Sequence, residues 1–526
     1  MLDPATQIPR TSETALPENS SNPAWGPWLV FAVLFALFLG FPSRSYDGDA
    51  LKRLGILFNS FHLEGSNHPY TNAYFLGWWT LVKGLAPTDI IGRIDTLVAM
   101  NSLLGAGAAA LGSAWLGCVG AGRIPSVLGG FLLGLGSASV YHSTQTTEPI
   151  SAQFWLMLSL FVGAQSRLGA WSGILAGICW ATSVASYQSY FLAGPFLLWL
   201  HARRWRDTIP WIATAGATGI FWFGLAAHLN GKTGVSGFIE YLTTKHDGDY
   251  WGFFRIGQTA RVPIGFASAV AIPWPSRHWP GLLAGFAQLS WVWKILCVSQ
   301  ILLLWLLAGA ALVARPRNPL QLYRWPLLLG FAACTFPPLY LSPQYWKLWL
   351  LPVALIQLLG VLVASGRNWG PWVLAGALSI QIAANVPRLL IEPHQKDSTG
   401  LRAAEAIEGS LRKTDLLICD RWSDAGFYCA THPDQNLLNL MSHLSGSEGL
   451  WTVVRSNLAS GNRVFIYGVV QRTPERWKAS DLGTRPHLIT HDEVLRLRPF
   501  LSPPVWQARE KGTLEDLYEI TTSPPR

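Results

Sequence analysis

Between Ser45 and Pro69 the stretch SYDGDALKRLGILFNSFHLEGSNHP gathers three carboxylates, two histidines and a proline. Asp47 and Asp49, on either side of Gly48, have the chemistry of a general base for a hydroxyl or of oxygen ligands for a metal. An Asp-Gly-Asp run is also what a solvated turn looks like. Further on, YHSTQTTEPISAQFW places Glu148 before Pro149 and near His142. This acid suits a reaction centre, and it equally suits the first turn of a helix capped by Thr147, where the helix dipole favours negative charge. A third run, TTKHDGDYWGFFRIGQTAR, supplies Lys245, His246, Asp247, Asp249, Arg255 and Arg261. Arginines there can clamp a phosphate bidentately, and His246, Asp247 and Asp249 are of the types that hold a divalent metal. Charge in a solvated loop produces the same pattern. In LYLSPQYWKLWLLP, Lys347 stands at the mouth of an apolar run, either snorkelling to an interface or offering positive charge to a lipid phosphate.

These residues lie between long apolar segments. The chain has 526 residues, 50% of them hydrophobic and 13% charged, where soluble domains carry about 25% charge. Runs of about 17 to 25 apolar residues, enough to cross a roughly 30 Å hydrocarbon core, recur from Trp25 to Asn385. Spans are expected near Trp28–Phe41, Ile94–Trp115, Val127–Tyr141, Ile150–Ala164, Leu168–Ala185, Tyr190–Leu200 and Ile209–His228. Four more are expected near Leu289–Val313, Trp325–Leu341, Trp346–Ala364 and Trp369–Asn385. With the N-terminus inside, the inner loops hold Arg123, Arg167, Arg203, Arg204, Arg206, Arg315, Arg317, Arg324 and Arg367. The outer turns near Thr146, Ser186 and Ser342 are almost free of basic residues, which is the positive-inside pattern. Counting Tyr70–Ala86 as a span would export those arginines, so that segment reads as an interfacial or re-entrant helix. Two long outer loops follow, Pro42–Arg93 and Leu229–Gln288.

The ends differ from the middle. Residues 1–24 are polar, without the basic and apolar regions of a cleavable signal, and read as a disordered cytoplasmic tail. Residues 25–387 form the membrane region. The same parity puts residues 388–526 outside, where helical patterns at Leu401–Leu411 and Leu450–Leu458 alternate with strand-like LLICD and VFIYG, the signature of a small α/β domain. Cys419 and Cys429 fall in this tail, where an extracytoplasmic disulfide can form; the other four of six cysteines lie in or beside apolar runs. The net charge of +9 is spread between the spans as topology signals, without a nucleic-acid motif. The 27 tryptophans suit membrane interfaces.

SYDGD after the first span, HPYTNAYFLGWWTLVKGL leading into IIGRIDTLVAMNSLLGAGAAAL, and STQTTEPISAQFWLMLSLF together resemble the membrane-embedded GT-C glycosyltransferases, most of all their protein O-mannosyltransferase-like branch. The resemblance runs from Trp28 to Phe161, with support from YLSPQYWKLWLLP. It implies an α-helical polytopic membrane protein of about eleven spans plus an interfacial helix, with the extracytoplasmic α/β domain appended. It also implies an acidic base in the first outer loop, at Asp47 or Asp49, and a second outer acid at Glu148. His68 with Pro69 matches the pair that leads into the interfacial helix, and Lys347 matches a basic residue near a late Tyr and Pro, here Tyr345 and Pro343. Two departures stand out: Tyr70 and Thr71 replace a second proline and a glycine, and Pro149 and Ile150 follow the second acid where relatives often have an aromatic.

The implied reaction moves a sugar from a polyprenyl phosphate to a hydroxyl of a glycan, lipid or protein, with inversion, at the outer face of a membrane such as a bacterial inner membrane. The donor lipid is a substrate, and a divalent metal is an open option. Asp47 or Asp49 would take the proton, while Lys347, Arg255 and Arg261 would stabilise the departing phosphate. A flippase for lipid-linked sugars is an alternative, though the ionisable groups gather at the outer rim and no internal repeat is visible. A polymerase or ligase using similar carriers is another.

Overall fold

The computed structural model describes residues 25–44, 48–58, 68–165, 168–202, 205–243, 262–271, 286–313, 320–340, 346–395, 399–420, 425–432, 434–440, 449–474, 477, 489–507 and 515–523. The N-terminal tail expected over 1–24 lies outside them.

The chain begins with α1 (Trp25–Gly40), whose Gly26, Val30, Leu34 and Phe38, four residues apart, form its one buried stripe. This is the helical period, and the stripe packs on α4 (Ile90–Cys118) and α5 (Arg123–Leu135) while Trp28 and Val33 stay exposed. α4 starts where the Asp89 side chain accepts a hydrogen bond from the Gly92 amide at 2.8 Å. Between α1 and α4 run α2 (Gly48–Leu54), a 3-10 turn over Gly55–Phe58, and α3 (Pro69–Val82). The 14 residues of α3 make it about 21 Å long at 1.5 Å per residue, short of a ~30 Å hydrocarbon core.

The helix that sequence periodicity placed at Val127–Tyr141 is broken. α5 and α6 (Ser137–Ser143) meet at a 65° bend around Gly136. A break among apolar helices frees carbonyls that lipid cannot satisfy, and neighbouring amides take them up. Leu132 O accepts from Gln357 Nε2 at 3.3 Å and Gln381 Nε2 at 3.1 Å, and Leu135 O from Asn385 Nδ2 at 2.7 Å. α6 then lies against α4 at Gly105, where any Cβ would come within 2.0 Å of Ser143 Oγ. α7 (Pro149–Gly163) and α8 (Ala170–Ser186) follow as neighbours.

Among the described residues, five helical runs are long and apolar enough to cross a membrane, or six if the α5–α6 pair is one span. They are α4, Thr208–Leu229, Trp291–Val313, Lys347–Ser365 and the run beginning at Gly370. α1, α7 and α8 are shorter apolar helices. Three sequence expectations need correction. Tyr190–Leu200 is a 3-10 turn (Gln188–Ala193) followed by a helix at Gly194–Ala202, since Pro195 has no amide to continue the first segment. Trp325–Leu341 divides into Leu320–Cys334 and Phe336–Tyr340, just before Pro337 and Pro338. The outer loop expected at Leu229–Gln288 contains helices at Gly234–Thr243 and Val262–Ala271; Phe266, Ala269 and Val270 of the second pack into the main core beside Trp349.

Beyond Asn385 the chain passes through a π-helical turn (Val386–Ile391) and a helix at Thr399–Ser410 into a four-stranded sheet. Its strands are β1 (Leu416–Cys419), β2 (Leu437–Asn439), β3 (Val464–Tyr467) and β4 (Leu517–Ile520), in the order β2-β1-β3-β4. β1 is parallel to β2 and β3, with Ile418 opposite Leu438 and Ile466; β4 closes the sheet antiparallel. The β1 and β3 side chains alternate between two cores, as a period of two requires. Leu416, Ile418, Val464 and Ile466 face Leu450 and Val454 of the Leu450–Ala459 helix. Leu417, Cys419, Phe465 and Tyr467 share a core with Leu51, Leu54, Phe75, Trp79 and Leu97. The sheet is thus seated on α2, α3 and the start of α4, and the Ala425–Thr431 helix packs directly on α2.

Candidate functional site

The turn between α6 and α7 delivers Glu148 to the place where the segment between α1 and α4 meets the apolar helices. Pro149 occupies the first helical position and Glu148 itself is the N-cap residue, not Thr147 as the sequence suggested. Thr147 Oγ1 pairs instead with His142 Nδ1 at 2.9 Å. The turn is held from inside by Asn101 of α4. Its Nδ2 lies 3.2 Å from His142 O, 2.5 Å from Gln145 O and 2.8 Å from Thr147 O, while its Oδ1 accepts from Tyr74 Oη at 2.8 Å. The turn is held from outside by α2, since Thr146 Oγ1 donates to Ala50 O at 3.0 Å and Arg53 Nη1 lies 3.4 Å from Thr146 O. The Ser43 amide donates to Thr144 O at 3.0 Å.

The Glu148 carboxylate is 2% exposed and sits among three basic side chains from three separate segments. Arg53 Nη1 is 2.9 Å from Oε2; His68 Nε2 and Lys347 Nζ are 3.6 and 3.8 Å from Oε1. Burial is graded across them: the Arg53 side chain is 5% exposed, His68 21% and Lys347 29%. Arg53 and Glu148 therefore form the buried foundation, and His68 and Lys347 are the more exposed members. His68 is steadied by the Tyr187 ring, 5.2 Å away, and Arg53 lies over the Phe75 ring at 5.9 Å. The cluster sets an arginine, a lysine and a histidine around one carboxylate. A carboxylate at the back and partly exposed cations in front suit an anion with several oxygens, a phosphate above all.

Of the residues nominated from sequence, the fold brings Glu148, His68 and Lys347 together. Lys347 is not isolated at the mouth of its helix. Asp49 lies in α2, one turn before Arg53. Asp47, Arg255, Arg261, Tyr345, His246, Asp247 and Asp249 lie outside the described residues. Among the described residues no three His, Cys, Asp or Glu side chains gather as a metal site. Glu148, hemmed in by a guanidinium and an ammonium, does not fit a divalent cation, because those charges repel it.

Sequence reasoning missed Arg53 and Asn101. Arg53 had a visible signal, a cation four residues after Asp49, one helical turn along the same face. Asn101 had one too, as an amide within the apolar run IIGRIDTLVAMNSLLGAGAAAL, where a buried polar group demands partners.

Solved structures align with most of this chain at low sequence identity. The archaeal oligosaccharyltransferase AglB from Archaeoglobus fulgidus, in complex with an inhibitory peptide and a dolichol-phosphate, aligns over 88% of this chain and 72% of its own at 11% identity and a TM-score of 0.52. The chain has a GT-C-type fold. The same archaeal enzyme with Zn and sulfate aligns over 93% of this chain and 72% of its own, at 11% identity and a TM-score of 0.51. ArnT from Cupriavidus metallidurans bound to undecaprenyl phosphate aligns over 96% of this chain and all of its own, at 12% identity and a TM-score of 0.45. No family model and no curated protein matches the sequence. The apolar helices and this fold together describe an integral membrane protein with a small C-terminal sheet.

Proposed function

We propose that this protein transfers a sugar from a polyprenyl-phosphate donor to an acceptor hydroxyl on the extracytoplasmic side of a membrane. The observation that carries the reading is the convergence of Arg53, His68 and Lys347 on buried Glu148, at the end of the helices where the first outer loop and the C-terminal sheet meet. A bacterial inner membrane, and a place in the O-mannosyltransferase-like branch of the GT-C group, belong to the same proposal.

The donor phosphate sits against Lys347 and His68 while its lipid tail stays in the bilayer. The acceptor oxygen attacks the anomeric carbon as Asp47 or Asp49 takes its proton, the bond from that carbon to the phosphate oxygen breaks, and the phosphate leaves with the electron pair. Fixed cations in a site poor in water stabilise the charge that develops on the leaving oxygen, without reorganising when it does. Glu148 does not act as the base in this scheme, because a guanidinium already occupies its carboxylate. It holds the cations in place. The alternative of a flippase finds no support in a charge cluster at one end of the helices.

Two variants test the reading in nanodiscs. Lys347→Gln is expected to weaken binding of a polyprenyl phosphate at least tenfold while leaving binding of the matching phosphate-free polyprenol unchanged. Asp47→Asn with Asp49→Asn is expected to keep polyprenyl-phosphate binding and abolish transfer of radiolabelled sugar from total membrane lipids to endogenous acceptors. Normal transfer by the double Asn variant at equal abundance would sink the assignment of the base. Unchanged phosphate binding by Lys347→Gln would remove the phosphate site.

A further inference from the structure

We propose that Cys419 and Cys429 form a disulfide in the mature protein, tying the Ala425–Thr431 helix to β1. The two sulfurs lie 3.3 Å apart, from residues 0% and 6% exposed. A disulfide places its sulfurs about 2.05 Å apart, so closing the bond takes roughly 1 Å of movement between two side chains that already face each other. Each of the remaining four cysteines, Cys118, Cys179, Cys297 and Cys334, belongs to a different helix of the membrane region.

The location gives the bond a purpose. Cys419 ends β1 and points to the sheet face that carries Leu417, Phe465 and Tyr467, which shares its core with α2 and α3. Cys429 lies on the short Ala425–Thr431 helix, the element of the C-terminal region that packs directly on α2. Seven residues make two turns of helix, too short to be stable without tertiary support. A covalent tie to the central strand fixes this helix as a rigid seat for α2, and α2 carries Arg53, the deepest cation of the candidate site. The bond closes a loop of about ten residues, which restricts the unfolded chain more than the folded one.

Both sulfurs are buried once the domain has folded, so oxidation belongs to the folding stage. One cysteine thiolate attacks the disulfide of a thiol–disulfide oxidant protein and expels one of its sulfurs as thiolate. The second cysteine thiolate attacks the resulting mixed disulfide, forming the Cys419–Cys429 bond. The oxidant departs as a dithiol, having gained the two electrons and two protons that the cysteines lost. This inference rests on the proposed outward placement of the C-terminal region, since disulfides persist in oxidising compartments.

The test uses the full chain, alkylated in intact cells under denaturing quench, with free thiols counted by a maleimide mass tag before and after reduction. Four tagged thiols before reduction and six after are expected, and a peptide joining the segments around Cys419 and Cys429 should appear in the unreduced digest. Cys419→Ser and Cys429→Ser should each give five thiols under both conditions, with a lower melting temperature than the parent. Six tagged thiols before reduction would overturn the inference. An impermeant protease acting on a C-terminal tag reports placement separately. Free thiols with the tag exposed outside refute the disulfide alone, whereas a protected tag refutes the outward placement and takes the disulfide with it.

Discussion

The Arg53–Glu148 pair makes the most exposed prediction about the site, because its two members reach it from α2 and from the turn before α7, 95 residues apart in sequence, and neither is surface-accessible. Arg53→Met takes the 2.9 Å guanidinium contact from the buried Glu148 carboxylate, while His68 at 3.6 Å and Lys347 at 3.8 Å stay beside it. Removing one partner of a buried ion pair costs about 3–5 kcal/mol. His68 and Lys347, 21% and 29% exposed, remain beside the carboxylate, so the lower half of that range, about 3–4 kcal/mol, is expected. Glu148→Gln removes the carboxylate from Arg53, which keeps the Thr146 carbonyl at 3.4 Å and the Phe75 ring at 5.9 Å, and should cost about 3 kcal/mol. The variant carrying both changes buries no unpaired charge, so its loss should fall well short of the sum of the two single losses, with a coupling of about 2 kcal/mol or more. The assay is reversible unfolding in mixed micelles titrated with denaturing detergent, followed by tryptophan emission. Independent sites add within about 0.3–0.5 kcal/mol, so additive losses would refute the pairing and with it the view that Glu148 anchors the cations.

Two further outcomes follow from neighbouring geometry. Asn101→Asp keeps the side-chain shape but points a carboxylate oxygen at the carbonyls of His142, Gln145 and Thr147, so it should destabilise by about 3 kcal/mol and weaken polyprenyl-phosphate binding more than Asn101→Ala does; parental melting and binding would refute the clamp. In the C-terminal sheet, burial pushes the Asp415 carboxyl up, but the Arg412 amide at 2.8 Å and the Arg463 guanidinium at 2.6 Å outweigh it and hold the carboxyl below its usual range. A carboxylate lowered in the folded state adds stability above its unfolded value of about 3.9, and that stability is lost as pH falls through the folded value. Asp415→Asn should therefore melt below the parent at pH 6 and approach it under acid conditions, and a gap that stays constant with pH would refute the assignment.

Several features were legible in the sequence for physical reasons. Apolar runs of span length dictate helices in a membrane, since lipid satisfies no backbone groups. LLIC and VFIY, each a run of four apolar residues, become the central parallel strands of the sheet, buried on both faces. Glu148, His68 and Lys347 were singled out from their type and their place at the ends of apolar runs, and the fold brings them together.

The tertiary structure decided which of those residues meet. Sequence leaves Glu148 open as an acid of a reaction centre or of a helix's first turn; only the approach of α2 puts Arg53 2.9 Å from its carboxylate. Local propensity leaves Val127–Tyr141 helical throughout, whereas the break at Gly136 is stable because Gln357, Gln381 and Asn385, more than 200 residues away, supply the missing donors. The docking of the sheet on α2 and α3 is equally invisible locally. It gathers Leu51, Leu54, Phe75 and Trp79 into one core with Leu417 and Tyr467, residues too far apart along the chain for any local pattern to join them.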